Sequence, residues 1–229
     1  MALVDDRKKD LAAKIRRGIE TGRFMPNQHL VESELAQWLG VNRVNVRVAL
    51  GRLEQEGLVV SEPNRGSRVR FVSEEEAIEI TQLRAVVEGM VASEAALRAT
   101  SADKKRLREI IAEMRAAIAA IDLIRYSDIN EGLHAEITSI SGHKIAARML
   151  KSLSSQIVRF QFRAILLPGR PQQSFAEHRE IVDAICDGDK DRANMAMQNH
   201  LLNVRFALEK KLSERDGEGA SRKPRSSRR

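Results

Sequence analysis

The chain has 229 residues, of which 31% are charged and 42% hydrophobic, and its formal net charge is +7. A chain of this length can bury one substantial core and a second, smaller one. It contains no apolar run long enough to cross a bilayer and no signal peptide, so we expect a cytoplasmic protein with no membrane partner. The single Cys186 cannot form an internal disulfide, which agrees with a reducing compartment.

Positive charge is concentrated at the two ends of the chain. Residues 1–72 carry 13 Lys and Arg against 9 Asp and Glu, residues 73–213 carry 20 of each, and residues 214–229 carry 6 against 3. Such a local excess is typical of a phosphate-binding surface. Aromatic residues make up only 3% of the chain, which argues against a protein that stacks single-stranded bases.

Residues 30–70 have the order helix, turn, helix and two-stranded hairpin. Ser33 and Asn42 are the predicted N-caps of the two helices, Gly40 forms the turn between them, and Gly57 ends the second helix. Two predicted strands follow, with a wing between them: Leu58–Val60, Arg68–Val72 and, for the wing, Ser61–Ser67. This order predicts a winged helix-turn-helix, which places its second helix in the DNA major groove.

The second of these helices, from about Arg43 to Glu56, carries side chains that can read base edges. Arg43, Asn45 and Arg47 lie near its N-terminal end. An Arg side chain can donate two hydrogen bonds to guanine, and Asn can pair in the same way with adenine. We expect a rough apolar stripe to face the core, formed by Val44, Val48, Leu50 and Leu53. The alternative to a DNA-binding helix is a solvated basic helix beside an ordinary hairpin. The full order of caps, glycines and wing favours DNA binding.

This segment resembles the DNA-binding domain of the GntR family of bacterial transcription regulators. The matching residues are Gly22, Leu30, Glu34-Leu35-Ala36, Leu39-Gly40-Val41, Arg43, Val46-Arg47, Ala49-Leu50, Arg52-Leu53, Glu56-Gly57-Leu58 and Arg65-Gly66. The chain departs from the family pattern at Asn27, usually Gly, at Asn42, usually Ser or Thr, and at Asn45, often Pro or Thr. The predicted DNA-contacting residues are Ser33, Asn42, Arg43, Asn45, Arg47, Arg52, Arg65 and Gly66.

Long helical patterns follow the hairpin. They predict helices at about Ser73–Thr100, Ser101–Ile124, Ser127–Ser141, His143–Leu167, Pro171–Asp187 and Asp189–Ser213. The fold is therefore predicted to be mostly α, with a winged helix-turn-helix domain over 1–72 and an antiparallel bundle of about six helices over 73–213. Residues 214–229 form a basic tail that we expect to be disordered, either merely solvated or adding nonspecific DNA affinity.

Four polar residues of the predicted bundle lie among apolar positions. Asn130 and His134 share one helix face, and His178 and His200 lie midway along the last two helices. Three imidazoles and an amide oxygen are the donors of a metal site, whereas single buried histidines are usually satisfied core residues. Spacing alone leaves both interpretations open.

Residues 73–213 are similar to the FCD effector domain of the FadR branch of the GntR family. The similarity is carried by Leu83-Arg84, Glu88, Ala95-Ala96, Asn130-x3-His134, Glu177-His178 and Asp189-x3-Ala193 followed by His200. It implies that Asn130, His134, His178 and His200 bind a divalent metal ion, zinc in the first place, with nickel and manganese as alternatives. Many members of the family have Asp where this chain has Asn130.

The Asn leaves a bound divalent ion with its full charge, so we expect a small carboxylate effector at the ion, with Arg84 as a second anchor. Two alternatives stay open: Arg84 forms a surface ion pair with Glu88, or Glu131 or Glu136 enters the site and supplies the missing charge.

The predicted function is a transcription regulator rather than an enzyme. A homodimer is expected to bind a palindromic operator in double-stranded DNA, as the resemblance implies. The effector is expected to change operator affinity through residues 71–76, which join the domains. A regulator that senses the metal itself is an alternative, and a metalloenzyme fused to a DNA-binding domain is a more distant one.

Overall fold

The computed structural model describes residues 2–62 and 65–221, and it describes side-chain surroundings between residues 11 and 209 of those ranges. Within these ranges the chain forms ten α-helices and three short β-strands: α1 (Ala2–Glu20), β1 (His29–Leu30), α2 (Glu32–Leu39), α3 (Arg43–Gln55), β2 (Val59–Glu62), β3 (Gly66–Val69), α4 (Glu74–Arg98), α5 (Ser101–Ala119), α6 (Leu123–Ser141), α7 (Lys144–Gln156), α8 (Val158–Ile165), α9 (Arg170–Asp187) and α10 (Lys190–Ser221). No helix of the described chain is long and apolar enough to cross a membrane.

The chain divides into two compact units. The reader unit comprises Met1–Ser73 and His143–Arg163, and the bundle unit comprises Glu74–Gly142 and Ala164–Arg229. Residues 143–163 thus group with the reader unit although they lie between two helices of the bundle unit in sequence. The predicted limits of the domains and of the basic tail stay a proposal.

The reader unit is a winged helix-turn-helix, as predicted. Its strands form an antiparallel sheet in the order β1-β3-β2, with Leu30 paired to Ser67 and Val60 paired to Arg68. The core lies between α1, α3 and the sheet and is built from apolar side chains that include Leu11, Ile15, Ile19, Val46, Leu50, Leu53, Leu58 and Val69. The sequence patterns did not predict α1 or the two-residue β1.

Local signals at the turns of this unit are largely confirmed. Gly40 adopts the left-handed conformation after α2 with φ 66°, and the Asn42 side chain accepts a hydrogen bond from the backbone N–H of Asn45 at 2.9 Å. Asn27 also has a positive φ of 64°, a conformation that Asn tolerates better than most residues. This explains how Asn can stand where the family usually has Gly.

Three expectations about the reader unit are wrong. Ser33 is not an N-cap. Helix α2 begins at Glu32, two residues before the start that a cap at Ser33 predicts, and Val31 occupies the cap position. The strands are Val59–Glu62 and Gly66–Val69, so the loop between them is shorter than predicted, and its residues 63 and 64 lie outside the described residues.

The third concerns the apolar stripe of α3, which does not include Val44 and Val48. These valines are exposed, because the buried positions are Val46, Ala49, Leu50 and Leu53, which follow the helical repeat on the opposite face.

The bundle unit packs α4 mainly against α10, with α5, α6 and α9 completing its core. Large buried side chains include Leu107, Met114, Leu133, Ile137, Ile181, Ile185 and Met197. Gly89 allows a close approach of α4 and α10, since a Cβ there would lie 2.8 Å from the Gln198 side chain and 2.9 Å from that of Asn194.

Helix limits differ from the predictions at four places. Helix α5 ends at Ala119 rather than at about Ile124, and Ile121 after it has a positive φ of 56°. The predicted helix over His143–Leu167 is two helices, α7 and α8, because the backbone at the buried Ile157 leaves the helical conformation. Helix α6 begins at Leu123 rather than Ser127, since the Asp122 side chain caps it by accepting from the backbone N–H of Arg125 at 3.0 Å. Helix α10 continues to Ser221 rather than ending at Ser213, and residues 222–229 lie outside the described residues.

Candidate metal centre and DNA-contacting surface

Three helices of the bundle unit carry the predicted metal ligands. Asn130 and His134 lie on α6, His178 on α9 and His200 on α10. Nε2 of His134 lies 3.2 Å from Nε2 of His178, and one ring nitrogen from each of the three histidines lies within 4.8 Å of the others. The fold therefore brings together three imidazoles that are separated by 22 to 66 positions in the sequence.

Burial keeps two of these imidazoles uncharged. His178 is completely buried and His200 almost completely so. Burial first, and then the neighbouring histidines, lower the pKa of His178 and of His200 well below the usual value for an imidazole. Both rings are consequently neutral at neutral pH, which is the state that binds a metal ion.

A carboxylate orients the ring of His134. Oε2 of Glu88, on α4, lies 2.5 Å from Nδ1 of His134. Burial raises the pKa of Glu88, but the charge of Arg84, together with the hydrogen bonds from Arg84 and His134, outweighs it and lowers this pKa to about 2. An ionised carboxylate can only accept, so Nδ1 of His134 donates and its Nε2 lone pair remains for a metal ion.

A second carboxylate orients His200 in the same way. Oε2 of Glu177 lies 2.7 Å from Nδ1 of His200, which leaves Nε2 as the free nitrogen of that ring. Arg170 donates two hydrogen bonds to Glu177, both 2.9 Å long, and Asn203 donates another at 2.9 Å. The site thus contains two Arg–Glu–His chains, one through Glu88 and one through Glu177. In each chain the arginine donates to the carboxylate, and the carboxylate accepts a hydrogen bond from the imidazole ring.

These residues fit a divalent metal ion. Nitrogens bonded to one zinc ion in a tetrahedral site lie about 3.3 Å apart, close to the His134–His178 separation. Oδ1 of Asn130 is buried and has no hydrogen-bond partner among the described residues, although a buried amide oxygen is usually satisfied. A metal ion bound at the imidazoles would supply the partner that this oxygen lacks.

The structure shows which charged groups contact the imidazoles and Arg84. The carboxylates bonded to the imidazoles are Glu88 and Glu177, whereas Glu131 is exposed and Glu136 half-buried, and entry of either of these two into the site stays a prediction. Arg84 does pair with Glu88, at 2.7 Å, but both side chains are buried, so the pair is not a surface ion pair. Nη1 of Arg84 is buried, has no hydrogen-bond partner in the part of the chain that the structure describes, and is therefore available to an anion.

The exposed face of α3 carries the predicted base-reading residues. Arg43 and Arg47 are both largely exposed, and Val44 and Val48 lie beside them. Both arginines approach Glu32 of α2, with Arg47 forming two hydrogen bonds of 2.8 Å to its carboxylate. The sequence patterns did not place the two valines or Glu32 at this exposed surface. The spacing of positions 43, 44, 47 and 48 nevertheless marks one helix face.

The remaining predicted DNA-contacting residues occupy three places in the reader unit. Ser33 is exposed on the first turn of α2. The exposed Asn42 caps α3, Asn45 lies on the first turn of that helix, and Arg52 is half-buried near its end. Arg65 and Gly66 lie where the wing enters β3, Arg65 exposed and Gly66 with φ 76°. Arg65 also lies 4.0 Å from Glu62.

Comparison with known proteins matches both parts of the chain to described families. Residues 7–69 match "Bacterial regulatory proteins, gntR family", and residues 79–203 match "FCD domain". A relative from Streptomyces ambofaciens, named "Uncharacterized HTH-type transcriptional regulator in unstable DNA locus", is 30% identical over 86% of this chain and 83% of its own. The "HTH-type transcriptional repressor RspR" of Escherichia coli K12 is 26% identical over 83% of each chain.

A solved structure supports the fold independently. The Escherichia coli protein McbR/YncC superimposes with a TM-score of 0.79 over 90% of this chain and 98% of its own, at 19% identity. Its sequence identity is too low to carry more than the fold. The matched families, the relatives and the shared fold agree, and the chain belongs to the gntR family of bacterial transcription regulators and carries an FCD domain.

Proposed function

We propose that the affinity of this DNA-binding regulator for its operator is controlled by a small organic acid, bound at a divalent metal ion in the bundle unit. Asn130, His134, His178 and His200 are the proposed ligands, and zinc is the proposed ion, with nickel and manganese as alternatives. The observation that carries the proposal is the convergence of three imidazoles, together with a buried amide oxygen, unpartnered in the described chain, one helical turn before His134 on α6. We also propose that the protein acts in the cytoplasm. We propose repression rather than activation because one relative is named a transcriptional repressor.

The charges around the site favour an anionic effector. The carboxylates of Glu88 and Glu177 are each paired with an arginine, so within the described residues they do not compensate the charge of a bound ion. The ion would keep its full charge in a buried site, where electrostatic interactions are strong. A carboxylate bound to the ion would reduce this charge and could also accept a hydrogen bond from Nη1 of Arg84.

A homodimer on a palindromic operator is the proposed binding unit. Helix α4 exposes four apolar side chains along one face: Leu83, Val86, Met90 and Leu97. Leu83 and Leu97 lie equally far from Met90, so an antiparallel second copy would pair Leu83 with Leu97 and place Met90 on the two-fold axis. Such a pair would also bring the acidic Glu79 close to Arg98 of the second copy, which makes the face complementary to itself in charge.

The course of the chain supplies a route for coupling. Helix α7 follows α6 directly and belongs to the reader unit, within which Arg70 donates to Gln156 at 2.8 Å and Lys151 lies 3.6 Å from Glu56. Val158, at the start of α8, packs against the core of the winged domain. We propose that a ligand shifting α6 or α9 acts on operator binding through this segment as well as through residues 71–76.

Two alternatives are weaker. A metal sensor needs no organic ligand, and it leaves the buried Nη1 of Arg84 without a role. A metalloenzyme needs a free general base, whereas the two carboxylates bonded to the imidazoles of the described chain are each held by an arginine and a histidine.

Calorimetry on the zinc-loaded full chain tests the effector, with L-lactate, malonate and citrate as mono-, di- and tricarboxylate probes. We expect at least one acid to bind, and binding to be lost after the metal is removed with chelator. Arg84→Lys keeps the positive charge but cannot donate from Nη1, so it should weaken that acid about tenfold without changing the metal content. Acid binding that persists without metal would contradict the proposal, and operator affinity that responds to the metal alone would favour the sensor.

A further inference from the structure

Glu32, at the first position of α2, contacts both arginines on the exposed face of α3. Arg47 donates from Nε to Oε1 and from Nη2 to Oε2 of Glu32, and each of these bonds is 2.8 Å long. Nη2 of Arg43 lies 3.7 Å from Oε2 of the same carboxylate. One acidic side chain on the first helix of the helix-turn-helix thus bridges two basic side chains on the second.

The geometry of the Arg47 pair leaves one edge of the guanidinium open. An arginine has five N–H donors, and Glu32 accepts from Nε and from one hydrogen of Nη2. The hydrogens that remain are on Nη1 and Nη2, at the tip, and they can still donate a pair of hydrogen bonds to O6 and N7 of guanine. The Arg47 side chain is 69% exposed and that of Glu32 only 23%. The half-buried carboxylate therefore binds an arginine side chain that stays largely accessible to solvent.

The same carboxylate changes the charge that this surface presents to DNA. The hydrogen bond from Arg47 lowers the pKa of Glu32 despite the opposing effect of burial, so the carboxylate is ionised at neutral pH. Glu32 therefore reduces the summed charge of the group that it forms with Arg43 and Arg47 from +2 to +1. Attraction to phosphates is independent of base sequence, and it grows with each positive charge.

We propose that Glu32 is a specificity-determining positioning residue of the DNA-binding surface. It fixes the tip of Arg47 for base reading, and it weakens attraction to DNA of any sequence. The first effect raises the ratio of the affinities for operator and for other DNA, and the second limits binding to DNA of any sequence. The inference rests on the proposed role of Arg43 and Arg47 in reading bases.

The test uses the full chain and two duplexes of equal length. One is the duplex that the wild-type chain selects from a random-sequence library, and the other is a duplex of random sequence. Dissociation constants for both are measured over a salt series with Glu32→Gln and Glu32→Ala. Glu34→Gln is the matched control, because Glu34 is an exposed carboxylate on the same helix and its loss changes the net charge equally.

We expect both Glu32 variants to bind the random duplex several-fold more tightly, with a salt dependence steeper by about one unit of slope. The ratio of the two affinities should fall about three- to tenfold in these variants, as part of the discrimination of a bidentate arginine is lost. Glu34→Gln should leave the ratio unchanged. A structural role alone would lower both affinities together, and that result, or an unchanged ratio, would overturn the inference.

Arg47→Ala separates this inference from the proposed function on which it rests. If Arg47→Ala lowers the ratio and the Glu32 variants do not, Arg47 reads bases and only the role of Glu32 is wrong. If Arg47→Ala leaves the ratio unchanged, the proposed base-reading role is wrong, and the inference about Glu32 is overturned with it.

Discussion

Asn130 is the residue on which the chemistry of the metal site depends most. As an amide it offers a neutral oxygen, whereas the aspartate found in many family members would offer a charged one. Its Oδ1 is buried without a partner in the described chain, which is the signature expected of a ligand atom in a protein without its ion. The choice between amide and carboxylate therefore sets how much charge an effector has to supply.

We predict that Asn130→Asp binds zinc about tenfold or more tightly than the wild type and binds the carboxylate effector more weakly. The added negative charge stabilises the ion, and it removes part of the charge that attracts an organic acid. Competition against a chromophoric chelator measures the zinc affinity, with Asn130→Ala expected to be weaker than the wild type. Equal zinc affinity in all three proteins would show that residue 130 is not a ligand.

Residue patterns predicted the proposed ligands but not the groups that orient them. The histidines and Asn130 could be identified because family motifs surround them. Glu88 could not be assigned to His134, because the two are 46 positions apart and meet only after α4 has packed against α6. Glu177 could have been suspected, since it directly precedes His178, but its bond to His200 also depends on tertiary packing.

Helix α4 is the element for which we propose a function on both sides. Its inner face carries Arg84 and Glu88 of the candidate metal site, and its outer face carries the apolar side chains proposed to meet a second copy. Leu83 and Leu97, the ends of this apolar stripe, are about 21 Å apart along the helix. A dimer formed here would place the dimer contact and the effector site on one rigid helix.

We predict that Met90→Glu converts the dimer to a monomer, because the two-fold axis would bring two carboxylates together in an apolar contact. Sedimentation velocity of the full chain measures the change. Met195→Glu is the control, since Met195 is an exposed methionine on a different helix, α10. Retention of the dimer by Met90→Glu, or equal dissociation of both variants, would contradict the proposed face.

Elements with strong local signals could be predicted, and those set by tertiary contacts could not. The cap at Asn42 and the turn at Gly40 depend on neighbouring residues and were predicted correctly. The two-residue strand β1 exists only through its pairing with β3, so no local pattern marks it. The break at Ile157 has no Gly or Pro nearby, and it occurs where this side chain becomes completely buried.

At the scale of the whole molecule, the chain passes from one unit to the other three times, after Ser73, Gly142 and Arg163. Two of these passages flank α7 and most of α8, which lie between the helices that carry His134 and His178. The proposed metal and effector would therefore bind to helices that continue directly into the reader unit. This continuity is the physical basis for the proposed control of DNA binding.

The presence of a metal ion is the most direct test of this account. Elemental analysis is performed on the full chain, purified without chelators and without a histidine tag, beside the double variant His134→Ala, His178→Ala. His29→Ala is the control, because His29 lies in the reader unit, outside the histidine cluster. We predict about one zinc, nickel or manganese ion per chain in the wild type and in His29→Ala, and none in a double variant that remains folded by circular dichroism. A wild-type chain without metal, or a double variant that retains it, would contradict the metal centre and make the three histidines polar residues of the core.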